Sequence, residues 1–442
     1  MSSYLSEPPT ADEKSSFDLI VKHGHQDLVQ AVAFNSYGDR CATGSVDGKI
    51  RVFNRHKDGI WRHCDNWGAH GGEILELQWL PPTIYPNLLA SLGIEGRFKL
   101  WAEDPSAAPG RRFSNATRSS SSSRGGGGGG SENPKAAFET RNSRSPYRSF
   151  SMKHFEDTRH TYLALLSADG RVTVYENEQP ENLADYTQMD EFSVCPRPAR
   201  GEETAFRVRF DPNPDVCYTA LRAGIPTDAL GLVVASMDSV KIYRTRDTVS
   251  SSMGVTTAAK EFYLAAEISG HRGLVRDIAW APGNIRGYDI IATACQDGFV
   301  RVFSLTTPTA TDKGWTSSSV RKHSRQIVDE DTDPRDGAAS TSELLLATSH
   351  PKSGIRAGLD QSRTSTERRT SGLPGQVKHV AAEIAKLDSH RTPVWRVGFD
   401  DDGQIMGSVG DEGKLMCYRQ TPDGTWAKSS ELSMVKMRMV AP

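Results

Sequence analysis

The chain has 442 residues, a formal net charge of −2, 37% hydrophobic residues and a mean hydropathy of −0.51. That length suits one large or two ordinary domains, and the low apolar share implies that part of the chain is solvated filler. The balanced charge sets up no global field for nucleic acid or an anionic membrane, and six scattered cysteines with no CxxC spacing argue against zinc and against a secreted disulfide scaffold.

Residues 1–16 (MSSYLSEPPTADEKSS) are polar and acidic, which reads as a flexible N-terminus and not as a signal peptide. No apolar run reaches 18 residues, so no membrane span is expected. A repeat then begins. His25 opens HQDLVQAVAF and stands nine residues before Phe34, and ATGSVDGKIRVF ends at Phe53, six after Asp47. The frame returns with His70 and Trp79, then with Glu95 and Trp101. A third copy, LLSADGRVTVY, keeps Asp169 six before Tyr175. A fourth, VVASMDSVKIY, has Asp238 only five before Tyr243, so its turn is one residue short. His271 to Trp280 and Asp297 to Phe303 make the fifth copy, and His390 to Phe399 with Glu412 to Tyr418 the sixth. Six units are expected near 17–67, 68–103, 135–178, 183–246, 260–306 and 376–432, forming one domain over 17–432 with a tail at 433–442.

Within each unit, apolar and polar residues alternate at the strand period, and a tight turn, Asp-Gly or Glu-Gly in all but the fourth, joins two of the strands. A small sheet cannot bury both faces alone. Sheets packed face to face around an axis can, which predicts an all-β, six-bladed propeller. Two stretches interrupt it. Residues 104–134 hold runs of five serines and six glycines, and residues 307–375 are rich in Thr, Ser, Arg and Asp. Neither offers enough apolar surface to offset its ordering entropy, so both are expected to be disordered inter-strand loops.

The GH dipeptide, the turn carboxylate before Gly and the terminal aromatic together resemble the WD-repeat pattern. Only Trp101 keeps that family's terminal Trp; Phe53, Tyr175, Tyr243, Phe303 and Tyr418 replace it. The resemblance implies a hydrogen-bonded structural set in each blade. These are His25, Thr43 and Asp47; His70, Ser91 and Glu95; His271, Thr293 and Asp297; and His390, Ser408 and Glu412, with Asp169 and Asp238 as the remaining turn carboxylates.

HRTPVWRVGFDDDGQIMGSVGDEGKLMCYR resembles the last blade of the SEH-one nucleoporins, relatives of the Sec-thirteen coat protein. The segments ending at Phe53, Trp101 and Phe303 resemble their first, second and fifth blades. Glu95 and Glu412 in place of Asp, the short fourth turn and the long loops depart from the pattern. The family, here of fungal-like type, implies an open six-bladed ring filled by a blade donated from an α-helical solenoid nucleoporin. It implies a non-enzymatic scaffold role, with other subunits of the Y-shaped pore subcomplex as neighbours, at the nuclear envelope and in support of protein and mRNA transport. A vacuole-associated complex regulating TOR signalling is the second implied assembly, and a Sec-thirteen-like vesicle coat is the rival reading.

The turn carboxylates and the histidines repeat one per blade, so a structural role outweighs a catalytic or metal site, which needs ligands converging on one point. No cofactor is expected: GxSxG, Walker A and a strand-borne GxGxxG are all missing, and Gly125–Gly130 lacks the Lys-Ser/Thr that a phosphate loop requires. The arginines of 111–160, among them Arg111, Arg112, Arg118, Arg124, Arg141, Arg144 and Arg148, read as a solvated basic loop rather than a nucleic-acid contact. Ser145-Pro146 and Arg368–Ser371 resemble kinase acceptor contexts. Trp395 is expected in the core rather than as a partner anchor.

Overall fold

The computed structural model describes residues 22–84, 86–108, 110–113, 135–252, 255–283, 286–307 and 376–433. Residues 1–16 and 434–442, most of the first insert and nearly all of the second lie outside them. The described chain is a six-bladed β-propeller of six four-stranded antiparallel sheets. Sheet 1 holds β1 (Val29–Phe34), β2 (Arg40–Ser45), β3 (Lys49–Arg55) and β4 (Trp61–Gly68). Sheet 2 holds β5 (Ile74–Trp79), β6 (Leu88–Gly93), β7 (Arg97–Ala102) and β8 (Phe138–Arg141). Sheet 3 holds β9 (Tyr147–His154), β10 (Thr161–Ser167), β11 (Arg171–Asn177) and β12 (Thr187–Ser193). Sheet 4 holds β13 (Phe206–Phe210), β14 (Gly231–Ser236), β15 (Ser239–Ser252) and β16 (Val255–Ile268). Sheet 5 holds β17 (Val275–Trp280), β18 (Asp289–Cys295), β19 (Val300–Thr306) and β20 (Val380–Leu387). Sheet 6 holds β21 (Val394–Phe399), β22 (Ile405–Gly410), β23 (Lys414–Gln420) and β24 (Trp426–Ser433). A short helix, α1 (Tyr218–Arg222), sits on the β13–β14 connection.

The sheets are offset from the units drawn on the sequence. β8 opens the unit placed at 135–178 yet completes sheet 2, and β12 falls in the next unit yet completes sheet 3. Outer strands face solvent on one side and carry neither the histidine nor the turn landmark, so the repeat frame does not mark them. The Asp-Gly and Glu-Gly turns do land between second and third strands. Gly48, Gly96, Gly170, Gly298 and Gly413 all take positive φ there, a conformation costly for other residues. At Gly48 a Cβ would also stand 2.4 Å from the His70 carbonyl oxygen, because the following blade starts against this turn. The short fourth turn is a two-residue hairpin, Met237–Asp238, with Met237 at φ 60°.

Five apolar cores join successive sheets. Ala42, Val52, Trp79 and Leu89 knit sheet 1 to sheet 2. Leu92, Leu100, Phe150 and Leu163 knit 2 to 3, and Leu166, Val174, Val208 and Leu232 knit 3 to 4. Ile242, Ile278 and Ile291 join 4 to 5, and Ala292, Val302, Val394 and Met406 join 5 to 6. Among the described residues no such core joins sheet 6 to sheet 1. Part of the first insert is also packed: Phe113 is buried and stacks on Trp67 at 5.1 Å, while its N–H donates to Asp65 Oδ2 at 2.7 Å.

Candidate partner interface

The expected blade sets assemble to different degrees. In sheet 2 the set is complete. Trp101 Nε1–H donates to Ser91 Oγ at 2.9 Å, Ser91 lies 2.8 Å from His70 Nε2, and His70 Nδ1 donates to Glu95 at 2.7 Å. Sheet 1 repeats it without the indole: His25 Nε2 is 2.8 Å from Thr43 Oγ1 and its Nδ1 is 3.3 Å from Asp47. Sheet 6 places His390 against Ser408 at 2.6 Å and against Glu412, which also accepts from Thr392. Sheet 5 departs from the expectation. His271 Nε2 contacts Thr293 at 2.9 Å, but Asp297 is drawn to Arg301 at 2.6 Å instead of to the histidine. Burial, with Arg301 nearby, pushes the His271 pKa down to about 4. Burial opposes ionisation of Asp297, yet the Arg301 hydrogen bonds hold it down at about 2. Asp169 accepts from Ser167, and Asp238 sits in the two-residue hairpin. These residues stand one set per sheet and converge on no common point. Among the described residues no group of three or more His, Cys, Asp or Glu is arranged to hold a metal.

Sequence reasoning missed a second group, on the innermost strands. Glu76 on β5 receives Arg207 at 3.0 Å and Arg209 at 3.3 Å from β13, plus the Ser149 hydroxyl and the Phe150 N–H from β9. Asp277 on β17 lies 3.6 Å from Arg207 and accepts the Val397 N–H of β21 at 3.3 Å. One cluster therefore staples sheets 2 to 6 at the centre, beside a cavity of about 810 Å³. A second buried group sits between sheets 4 and 5: Arg244 pairs with Asp211 at 3.1 Å and Asp289 at 2.7 Å and lies over Trp280. The available signal was a charged residue two places after an apolar strand residue in ILELQW, VRDIAW and VWRVGF, whereas Arg207 and Arg209 in FRVRF hold the ordinary polar places of the alternation.

The uncovered surface is at the two ends of the series. On β1, Ala31 and Ala33 face sheet 2, while Val32 (54% exposed) and Phe34 (58%) face away from it. On β22, Met406 faces sheet 5, while Ile405 (43%) and Val409 (37%) face away. The family resemblance implies a ring open between its last and first blades. Both terminal sheets are complete at four strands, so what stands open is two apolar faces, because blades associate by faces. Trp395 is not core: it is 41% exposed, donates to Asp411 and lies under Arg276 at 4.6 Å. Ser145 is buried, which removes one kinase acceptor context from the accessible surface, and Arg368–Ser371 lie outside the described residues. Arg112 pairs with Glu103 at 3.5 Å, Arg148 reaches the Ile94 carbonyl at 3.5 Å, and Arg118 and Arg124 lie outside the described residues.

Residues 18–54 and 262–304 match the WD domain, G-beta repeat family. The chain is 54% identical to Nucleoporin SEH1 of Chaetomium thermophilum, over 99% of each chain. It is 27% identical to Nucleoporin SEH1 of Saccharomyces cerevisiae over 90% of this chain and 94% of the relative, and 22% identical to Nucleoporin SEH1 of Homo sapiens over 91% and 84%. With full-length identity of this order, carried on a six-bladed ring of WD repeats, the chain belongs to the SEH1 family of nucleoporins, structural proteins and not enzymes.

Proposed function

We propose that this nuclear pore scaffold protein binds an α-solenoid nucleoporin by accepting a donated β-blade between sheet 6 and sheet 1. The observation that carries the reading is the pair of uncovered apolar faces at the two ends of five otherwise continuous cores. A β-blade matches them in kind, since every other face in the ring is covered by a sheet. Exposed apolar faces of this sort mark interaction surfaces on soluble proteins. Through that partner the chain enters the Y-shaped subcomplex at the nuclear envelope and supports protein and mRNA transport. The family resemblance extends the proposal to a vacuole-associated assembly acting on TOR signalling.

Co-expression with the solenoid nucleoporin of the same organism tests the reading. The pair is expected to co-purify stoichiometrically, and Phe34→Asp combined with Val409→Asp is expected to abolish it while the variant keeps its wild-type circular dichroism. Persistent binding by that double variant sinks the proposal. A tagged chain found at endoplasmic-reticulum exit sites rather than the nuclear rim argues for the coat-type role. Co-fractionation with vacuolar membranes tests the second assembly.

A further inference from the structure

We infer that the blade entering between sheets 6 and 1 carries an aspartate or glutamate on its innermost strand, placed to pair with Arg396. The inference rests on the proposed blade donation and names a determinant of its specificity. Strand register supports it. On each innermost strand one residue pairs with the penultimate residue of the second strand: Ala31, Glu76, Ser149, Arg207, Asp277 and Arg396, in sheets 1 to 6. In five of the sheets this residue follows a bulge.

Read around the ring, the charges run negative, neutral, positive, negative, positive. The next place is the open junction, and beyond it stands Ala31, which offers no charge. Glu76 and Asp277 are already served by Arg207 and Arg209. Three arginines thus face two carboxylates, and Arg396 is the surplus one. It is exposed, and no hydrogen bond or ion pair joins it to another described residue. Filling the junction would bury Arg396, which Arg207 already repels and which Glu76 attracts without a hydrogen bond or ion pair between them. An unpaired buried charge is strongly destabilising, so an occupant lacking a carboxylate there meets a penalty that an acidic one avoids.

The test uses the full chain co-expressed with the solenoid nucleoporin that supplies the blade, with affinity read by titration calorimetry. Arg396→Glu is expected to weaken binding by about 100-fold and Arg396→Ala by about 10-fold, while Arg396→Lys stays within about 3-fold. Replacing the partner's matching carboxylate by Lys should restore binding to Arg396→Glu. The side chain is exposed, so the free variants should melt as the wild type does. Wild-type affinity in both Arg396→Glu and Arg396→Ala overturns the inference and leaves blade donation standing. A wild-type chain that binds no partner, or that fills its junction with a second copy and dimerises, overturns both.

Discussion

β18 and β22 occupy the same place in their sheets, yet they have opposite surroundings. β18 lies in sheet 5 and is buried at all seven positions; β22 lies in sheet 6 and alternates between buried and exposed. Their sequences, DIIATAC and IMGSVG, are both apolar. What differs is the neighbour. Sheets 2 to 5 are covered on both faces, and sheets 1 and 6 on one. The inner sheets are therefore held by cores and ion pairs already in place, whereas the terminal sheets keep their stabilising contacts in reserve for whatever covers them.

Four tests bear on that contrast. The largest effect is expected at Arg244, which is fully buried between two carboxylates. Arg244→Ala leaves Asp211 and Asp289 uncompensated and should cost roughly 4 kcal/mol in urea unfolding. A small loss would mean that the inner seam does not depend on this pair. Next, Ile291→Ala, in the core between sheets 4 and 5, should cost about 3 kcal/mol, while Ile405→Ala in the terminal sheet should cost less than about 0.5 kcal/mol in the free protein. Equal losses would erase the distinction between inner and terminal sheets.

The third test is acid. The folded pKa of His271, about 4, lies below its ordinary 6.5, so the unfolded chain binds the extra proton. Its contribution is complete above pH 6.5 and is lost as pH falls from 6.5 towards 4, on the order of 2 kcal/mol in all. His271→Gln should flatten the pH dependence of unfolding over that window. An unchanged slope would exclude this histidine as its source. The smallest effect is expected for Trp101→Phe, which removes one buried indole donor to Ser91 and should cost about 1 kcal/mol by thermal unfolding. Phe53 and Phe303 already hold that place in sheets 1 and 5, so a much larger loss would show that sheet 2 relies on the indole as its neighbours do not.

Much of the fold was legible because inner hairpins obey local rules. An Asp-Gly turn fixes the second and third strands, and the histidine nine residues before an aromatic marks the first. Outer strands such as β8 and β12 follow no such rule, since solvent on one side relaxes the choice of side chain. Phe113 was hidden for a related reason: one aromatic beside a serine-glycine run looks solvated, and only the pocket between Trp67 and Trp79 gives it a place. The pairing of Asp297 with Arg301 instead of His271 was equally out of reach, because the four-residue spacing of the pair acquires meaning only in the hairpin. The open faces were inferred through resemblance, and the ring of inner charges was overlooked because their partners lie as much as 133 residues away.

Each sheet is built from four consecutive strands, and among the described residues no strand is borrowed to clasp the first sheet to the last. In energetic terms the ring is then a short solenoid bent into an arc, with nearest-neighbour couplings and two uncapped ends. Fraying should begin at sheets 1 and 6, and amide protection should peak in sheets 3 and 4. A blade seated at the junction would act as both missing caps at once, tying the two weakest units together and turning a linear array into a loop with no end from which to unravel.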